Sequence, residues 1–139
     1  MRVKCITNRI ADIRTVELSE HLDARIRGLE WLDGLEVGKE YMVYGLVFWQ
    51  SIPYFYICEE DADEYPVPNF AGFFSVTDNR LSSEFRLVWY LDDISQSYLV
   101  PKEWAEDRLF YPRLLDGYYA EIETFKRIKS RIDDEFARQ

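Results

Sequence analysis

The side chains in this sequence that are able to do chemistry are mostly carboxylates, and five of them are concentrated in one short segment. The segment spans residues 59–64 and contains Glu59, Glu60, Asp61, Asp63 and Glu64. An EF-hand calcium loop requires a glycine at its sixth position and a terminal glutamate, and neither falls into place here. We therefore predict a solvated loop, which could also present its negative charge to a basic protein.

A second group of carboxylates could supply a pair for acid–base catalysis. It consists of Asp92, Asp93, Glu103, Glu106 and Asp107. The chain has 26 Asp and Glu residues, so pairs of this kind arise by chance. Catalytic use also requires a pocket and shifted pKa values. An enzyme that uses such a pair is therefore the least favoured hypothesis.

Other nucleophiles and metal ligands are scarce. Cys5 and Cys58 occur among apolar, strand-like residues, which favours two reduced and buried thiols. The single histidine, His21, is interpreted as a surface or capping residue. The sequence contains no Walker loop and no GxGxxG or GxSxG motif. We therefore predict a protein without enzymatic activity, with no catalytic residue, no cofactor and no metal ion.

The charge balance limits the kinds of partner. Seventeen Lys and Arg residues stand against 26 Asp and Glu residues, which gives a net charge of −9. This balance disfavours nucleic acid, because phosphate backbones are bound by Lys and Arg. It fits a soluble cytosolic protein, and it also fits a protein that is steered toward a basic partner.

Length and hydropathy predict one cytoplasmic domain that spans residues 1–139. The segment Met1–Ile10 is charged and has no apolar region of the kind found in secretory signals. No apolar run approaches the roughly 20 residues that a membrane-spanning helix needs. We therefore expect no association with a membrane.

The chain is organised around a predicted β-hairpin. Its arms, Glu40–Trp49 and Tyr54–Cys58, are rich in β-branched and aromatic residues and are joined at Gln50–Pro53. The first arm is apolar on both faces, so both faces require cover, from the domain's own helix or from another protein. Trp49 and Tyr54 are the candidate aromatic anchors of a protein contact.

Further strands are predicted from short apolar runs that are bounded by turn residues. They span Arg2–Thr7, Phe73–Thr77 and Glu84–Leu91, which places the sheet core at about residues 2–91. Gly38, at the entrance to the hairpin, is expected to take a positive φ.

Apolar residues recur at helical spacing in two segments. A first helix carries Leu18, Leu22, Ile26 and Leu29 on one face and ends at Asp33-Gly34. The last helix has Asp116 as its predicted N-cap and one apolar stripe. The stripe consists of Tyr118, Ile122, Phe125, Ile128, Ile132 and Phe136. Together with a short helix that begins at Pro101, it forms a helical part at residues 101–138.

Several segments resemble a group of small bacterial proteins with SH3-like β-barrels and a C-terminal helix. The similar segments are Val3–Asn8, Leu35–Gly45, Tyr56–Cys58, Tyr65-Pro66 and Asp78–Ser82. Some members of the group are similar to immunity proteins that accompany polymorphic or contact-dependent toxins. The resemblance spans most of the chain, and its motifs are structural and imply no catalytic residue.

Together these observations predict an α+β fold, with a small antiparallel, SH3-like sheet or barrel and a packed C-terminal helix. The expected function is that of an immunity protein that binds a bacterial toxin, with a basic toxin domain as the partner. Its candidate contacts are Trp49, Tyr54, Glu59, Glu60, Asp61, Asp63 and Glu64. The alternative is a homo-oligomeric structural module, such as a homodimer that buries the aromatic hairpin against itself.

Overall fold

A computed structural model of the protein describes residues 1–13 and 34–137. The strands in these residues are β1 (Arg2–Cys5), β2 (Glu40–Met42), β3 (Gly45–Trp49), β4 (Ile52–Ile57), β5 (Val67–Phe70), β6 (Phe74–Asp78), β7 (Phe85–Tyr90) and β8 (Asp93–Pro101). The α-helices are α1 (Lys102–Ala105), α2 (Phe110–Leu115) and α3 (Tyr119–Ala137). The predicted first helix, with Leu18–Leu29 and His21, lies outside the described residues.

The strands form two antiparallel sheets, with the orders β2–β1–β6 and β5–β4–β3–β8–β7. The predicted α+β class, the antiparallel pairing and the packed C-terminal helix are confirmed. Of the two predicted forms, sheet or barrel, the described strands have the open form. The five-stranded sheet therefore has two edge strands, β5 and β7.

The first arm of the predicted hairpin is divided between the two sheets. Its beginning, β2, pairs with β1, whereas its end, β3, pairs with β4 and β8. The change occurs at Val43 and Tyr44, whose N–H groups donate to Met1 O at 3.0 Å and to Tyr56 O at 2.8 Å. Gly38, before β2, has the predicted positive φ, at 89°.

The hairpin turn is shorter than predicted. Trp49 pairs with Ile52, so Gln50 and Ser51 alone form the turn and Pro53 belongs to β4. Both turn residues have a positive φ, 51° for Gln50 and 70° for Ser51. This is the geometry of a two-residue turn that matches the twist of its strands, and Asn and Gly normally supply it.

Both faces of the hairpin are covered by the protein itself. On one face, Tyr56 packs against Trp104 of α1 and Tyr111 of α2, with ring centroids 4.7 and 5.2 Å away. On the other face, Phe55 contacts Phe74 of β6 at 5.9 Å. We call these the Tyr56 face and the Phe55 face of the five-stranded sheet.

Among the described residues, two strands and one α-helix were not predicted. Val67–Phe70 forms β5 despite Pro68, which is compatible with a strand at a sheet edge. Asp93–Pro101 forms β8 although its first half is polar, because it lies between β3 and β7 and pairs with both. A short helix, α2, also precedes the last helix.

The predicted N-cap at Asp116 is wrong. Asp116 instead ends α2, and Gly117 follows it with a φ of 82°. The N–H groups of Gly117 and Tyr118 donate to Leu114 O and Arg113 O, both at 3.1 Å, which is the pattern that closes a helix before a glycine. Helix α3 therefore starts only at Tyr119.

The apolar stripe of the last helix is largely confirmed. Phe125, Ile128, Ile132 and Phe136 are buried, whereas Tyr118 precedes the helix and is exposed. On the polar side of the helix, Lys129 and Asp133 form an ion pair at 3.1 Å. Glu123 pairs with Lys126, and Arg131 binds Glu84 and Glu103.

Replacing Ser51 by glycine is expected to raise the free energy of unfolding by about 1 kcal/mol. A Cβ atom disfavours the left-handed backbone conformation that residue 51 adopts, and glycine has no Cβ atom. Urea unfolding followed by circular dichroism measures the change. The matched control is Ser97→Gly within β8, which we expect to lower the free energy of unfolding by about 0.5–1 kcal/mol. A loss of stability in Ser51→Gly would contradict the turn geometry.

Candidate protein-binding surfaces

The acidic loop, residues 59–64, connects β4 to β5 and is held by a tight turn. The Glu60 N–H donates to Asp63 Oδ2 at 3.0 Å, and the Asp63 N–H donates to Glu60 O at 3.1 Å. Glu60, Asp61 and Glu64 are exposed, whereas Glu59 and Asp63 are half-buried. The loop therefore presents three carboxylates fully to solvent.

Glu59 is directed toward the protein rather than away from it. A Cβ atom added at Gly34 would lie 1.8 Å from Glu59 Oε2, so the carboxylate occupies the space that a side chain at residue 34 would need. Burial raises the pKa of Glu59 above its ordinary value, and the negative charges of Asp63 and Glu60 raise it further. The backbone oxygen of Glu59 accepts a hydrogen bond from Lys39 Nζ at 3.0 Å.

A cleft of about 380 Å³ adjoins the loop and is lined by Tyr44, Cys58, Asp61, Lys129 and Asp133 among others. The Tyr44 hydroxyl donates to Asp133 Oδ1 at 2.7 Å, and Lys129 Nζ binds Asp133 Oδ2 at 3.1 Å. Burial raises the pKa of the Cys58 thiol to about 12. The thiol is thus protonated at neutral pH, and a thiolate is the form that reacts.

Three of the five carboxylates considered for acid–base catalysis are engaged in ion pairs. Asp107 binds Arg113 at 2.8 Å, and Glu103 binds Arg131 at 2.6 Å. Asp92 binds Arg108 at 2.9 Å, and the hydrogen bond from this guanidinium lowers the pKa of the Asp92 carboxyl. A general acid at neutral pH requires the opposite shift.

The structure separates the predicted aromatic anchors from the acidic loop. Trp49 is half-buried beside the hairpin turn, where it pairs with Ile52. The acidic loop follows the other end of β4, about 17 Å away along the strand. Tyr54 is only 6% exposed and its ring contacts Phe70 at 5.9 Å, so it does not form the exposed anchor that we expected.

An apolar surface on β7 was not identified from the sequence. On the Phe55 face, Phe55, Leu46, Leu99 and Leu87 lie side by side across β4, β3, β8 and β7. Phe55 and Leu46 are each 5% exposed, Leu99 is half-buried and Leu87 is 68% exposed. The cover of this face therefore ends before the sheet does.

Three other large apolar side chains are exposed on or beside β7. Trp89 is 55% exposed, and Leu91 and Ile94, at the turn to β8, are 85% and 78% exposed. We call Leu87, Trp89, Leu91 and Ile94 the apolar row. Because β7 is an edge strand, one side of its backbone has no strand partner in the described part of the chain. The alternation of Leu87, Trp89 and Leu91 was visible in the sequence, but alternation alone does not indicate which face is covered.

Neither a membrane helix nor a metal-binding cluster is found in residues 1–13 and 34–137. No helix there has the length and apolar character needed to cross a membrane. No group of three or more His, Cys, Asp or Glu side chains there could hold a metal ion. Comparisons with protein-family models, curated proteins and solved structures gave no match.

Replacing Glu59 by glutamine is expected to raise the free energy of unfolding at pH 7. The pKa of Glu59 is higher in the folded than in the unfolded protein, so its ionised form disfavours folding. That penalty disappears as the pH falls through the folded-state pKa, and the variant and the wild type should therefore converge at pH 4.

Urea unfolding at the two pH values measures the effect, with Glu64→Gln as the exposed control from the same loop. If Glu59→Gln is less stable than the wild type at pH 7, the carboxylate makes a favourable contact and the assigned burial penalty is wrong.

Proposed function

We propose that this chain is a non-enzymatic protein-binding module, namely an immunity protein that neutralises a bacterial toxin by direct contact in the cytoplasm. The observation that carries the proposal is the apolar row on the edge strand β7. Isolated apolar side chains are common on protein surfaces, but several large ones exposed on one edge strand and its turn, with a tryptophan among them, are typical of interaction sites.

The row and its strand offer two kinds of contact to a protein partner. Trp89 and Leu87 supply apolar area, and tryptophan is among the residues that most often dominate binding energy. The free side of the β7 backbone can exchange hydrogen bonds with an extended segment of the partner, which would add a strand to the sheet. Either contact would block a toxin by covering the part of the toxin surface that its activity requires.

The acidic loop supports a basic partner. Glu60, Asp61 and Glu64 are exposed, and the net charge of the chain is −9. Exposed carboxylates increase the rate at which a basic protein associates, and this effect weakens with salt. Steering acts over about a Debye length, so the loop and the row need not touch the same part of the partner.

The second candidate function is the homo-oligomeric module, and the same edge strand supports it. If two copies of β7 paired antiparallel about Val88, Leu87 of each copy would face Trp89 of the other, so the strand is complementary to itself. The row would then be buried in a homodimer, and no toxin could reach it.

The partner is first captured from a lysate of the native host, and the genes that flank the gene of this protein are identified at the same time. Two variants of the purified protein then test the proposal against this partner. Leu87→Ser/Trp89→Ser should weaken binding about 100-fold, mainly through faster dissociation. Glu60→Lys/Asp61→Lys/Glu64→Lys should slow association about tenfold at low salt and little at high salt.

The matched control for the loop variant is Glu106→Lys/Asp116→Lys/Asp134→Lys, which reverses three exposed carboxylates elsewhere on the surface. Its association rate should exceed that of the loop variant clearly, although the net charges are equal. Wild-type affinity in the Leu87/Trp89 variant would remove the apolar row from the proposal. Equal association rates for the two charge variants would remove the acidic loop from the proposal.

A further inference from the structure

A cavity of about 190 Å³ lies on the Tyr56 face, on the opposite side of β7 from Leu87 and Trp89. Its floor consists of three packed rings: Trp104 and Tyr111 are stacked at 4.9 Å, and Tyr56 meets both at steep angles. Tyr90 and Tyr98 add two more aromatic rings to the lining. Pockets for drug-sized ligands measure about 300–1,000 Å³, so this cavity suits one long side chain.

The aromatic lining favours a cation. The faces of Trp and Tyr rings carry negative potential and attract ammonium and guanidinium groups. The protein provides an example at the rim of this cavity, where the guanidinium carbon of Arg108 lies 4.1 Å from the centroid of the Tyr90 ring. A planar cation therefore fits against this wall.

One carboxylate at the rim, Asp93, is attracted by the charge of Arg108 but forms no salt bridge with it. Arg108 binds both oxygens of Asp92, at 2.9 and 3.0 Å, so these two charges offset each other. Asp93 also lines the cavity and accepts a hydrogen bond from the Ser95 hydroxyl at 2.8 Å. Among residues 1–13 and 34–137, no cation forms a salt bridge with Asp93.

The cavity adjoins the acidic loop. The Tyr111 hydroxyl donates to Pro66 O at 2.7 Å, and Pro66 follows the last carboxylate of the loop, Glu64, by two residues. A basic protein that is attracted to the loop is therefore brought close to the mouth of the cavity.

We propose that the cavity binds the guanidinium of an arginine side chain that belongs to the basic partner, an inference that rests on the proposed function. Arginine fits better than lysine because its planar group stacks on aromatic rings, is weakly hydrated and binds a carboxylate through two hydrogen bonds. Asp93 is the carboxylate in position to accept them.

Titration of the ¹⁵N-labelled full chain with the blocked peptide acetyl-Gly-Arg-Gly-amide tests the inference. We expect a saturable shift of the Trp104 indole N–H signal, with a Kd on the order of millimolar because only one side chain binds. The peptide with Lys in place of Arg should bind at least fivefold more weakly, and the peptide with Gly should not bind.

Two variants locate the site. Asp93→Asn should weaken binding of the arginine peptide at least fivefold, whereas Asp134→Asn, an exposed carboxylate on α3, should leave it unchanged. A shift that does not saturate, equal binding of the Arg and Lys peptides, or wild-type binding by Asp93→Asn would each overturn the inference.

The experiment separates this inference from the proposed function. If a captured partner loses affinity through Leu87→Ser/Trp89→Ser but not through Asp93→Asn, the cavity does not bind its arginine and the inference is overturned, while the proposed function is supported. If no partner is found but the arginine peptide binds as expected, the guanidinium site is supported and the proposed function fails.

Discussion

The structure depends on one constraint, which is that the hairpin formed by β3 and β4 is apolar on both faces and both must be kept from water. Tyr56 on one face is covered by Trp104 and Tyr111, and Phe55 on the other is covered by Phe74. Helices α1 and α2 thus cover one face of this hairpin, and β6 of the second sheet covers the other.

The same constraint accounts for the position of the apolar row. Phe55 and Leu46, in the middle of the sheet, are buried, whereas Leu87, at its edge, is exposed. Burial decreases in this direction because the elements that cover the sheet are centred on the hairpin. Arg131 of α3 pairs with Glu84, just before β7, and the rest of the strand continues past this contact. We propose that this uncovered edge is the surface that binds a partner.

The sequence allowed the prediction of the elements whose patterns are strictly local. Alternation identified β1 and β7, and the helical spacing identified α3 with its buried Phe125. Two strands were missed, β8 because it starts with polar residues and β5 because it contains a proline. The pairing of these strands depends on neighbours that are distant in the chain. Of the candidate site, the acidic loop could be predicted from the sequence, because it is a run of carboxylates. The inward position of Glu59 depends on Gly34, and the exposure of Trp89 depends on where the cover ends, so neither could be predicted.

If the apolar row binds a different protein, as we propose, it should be free in the isolated chain. Multi-angle light scattering of the purified chain over a range of concentrations is the measurement to make first. We expect a monomer with a mass of 16.7 kDa at every concentration. A stable dimer that becomes monomeric on the substitution Trp89→Glu would contradict it, because the row would then be buried between two copies of the chain.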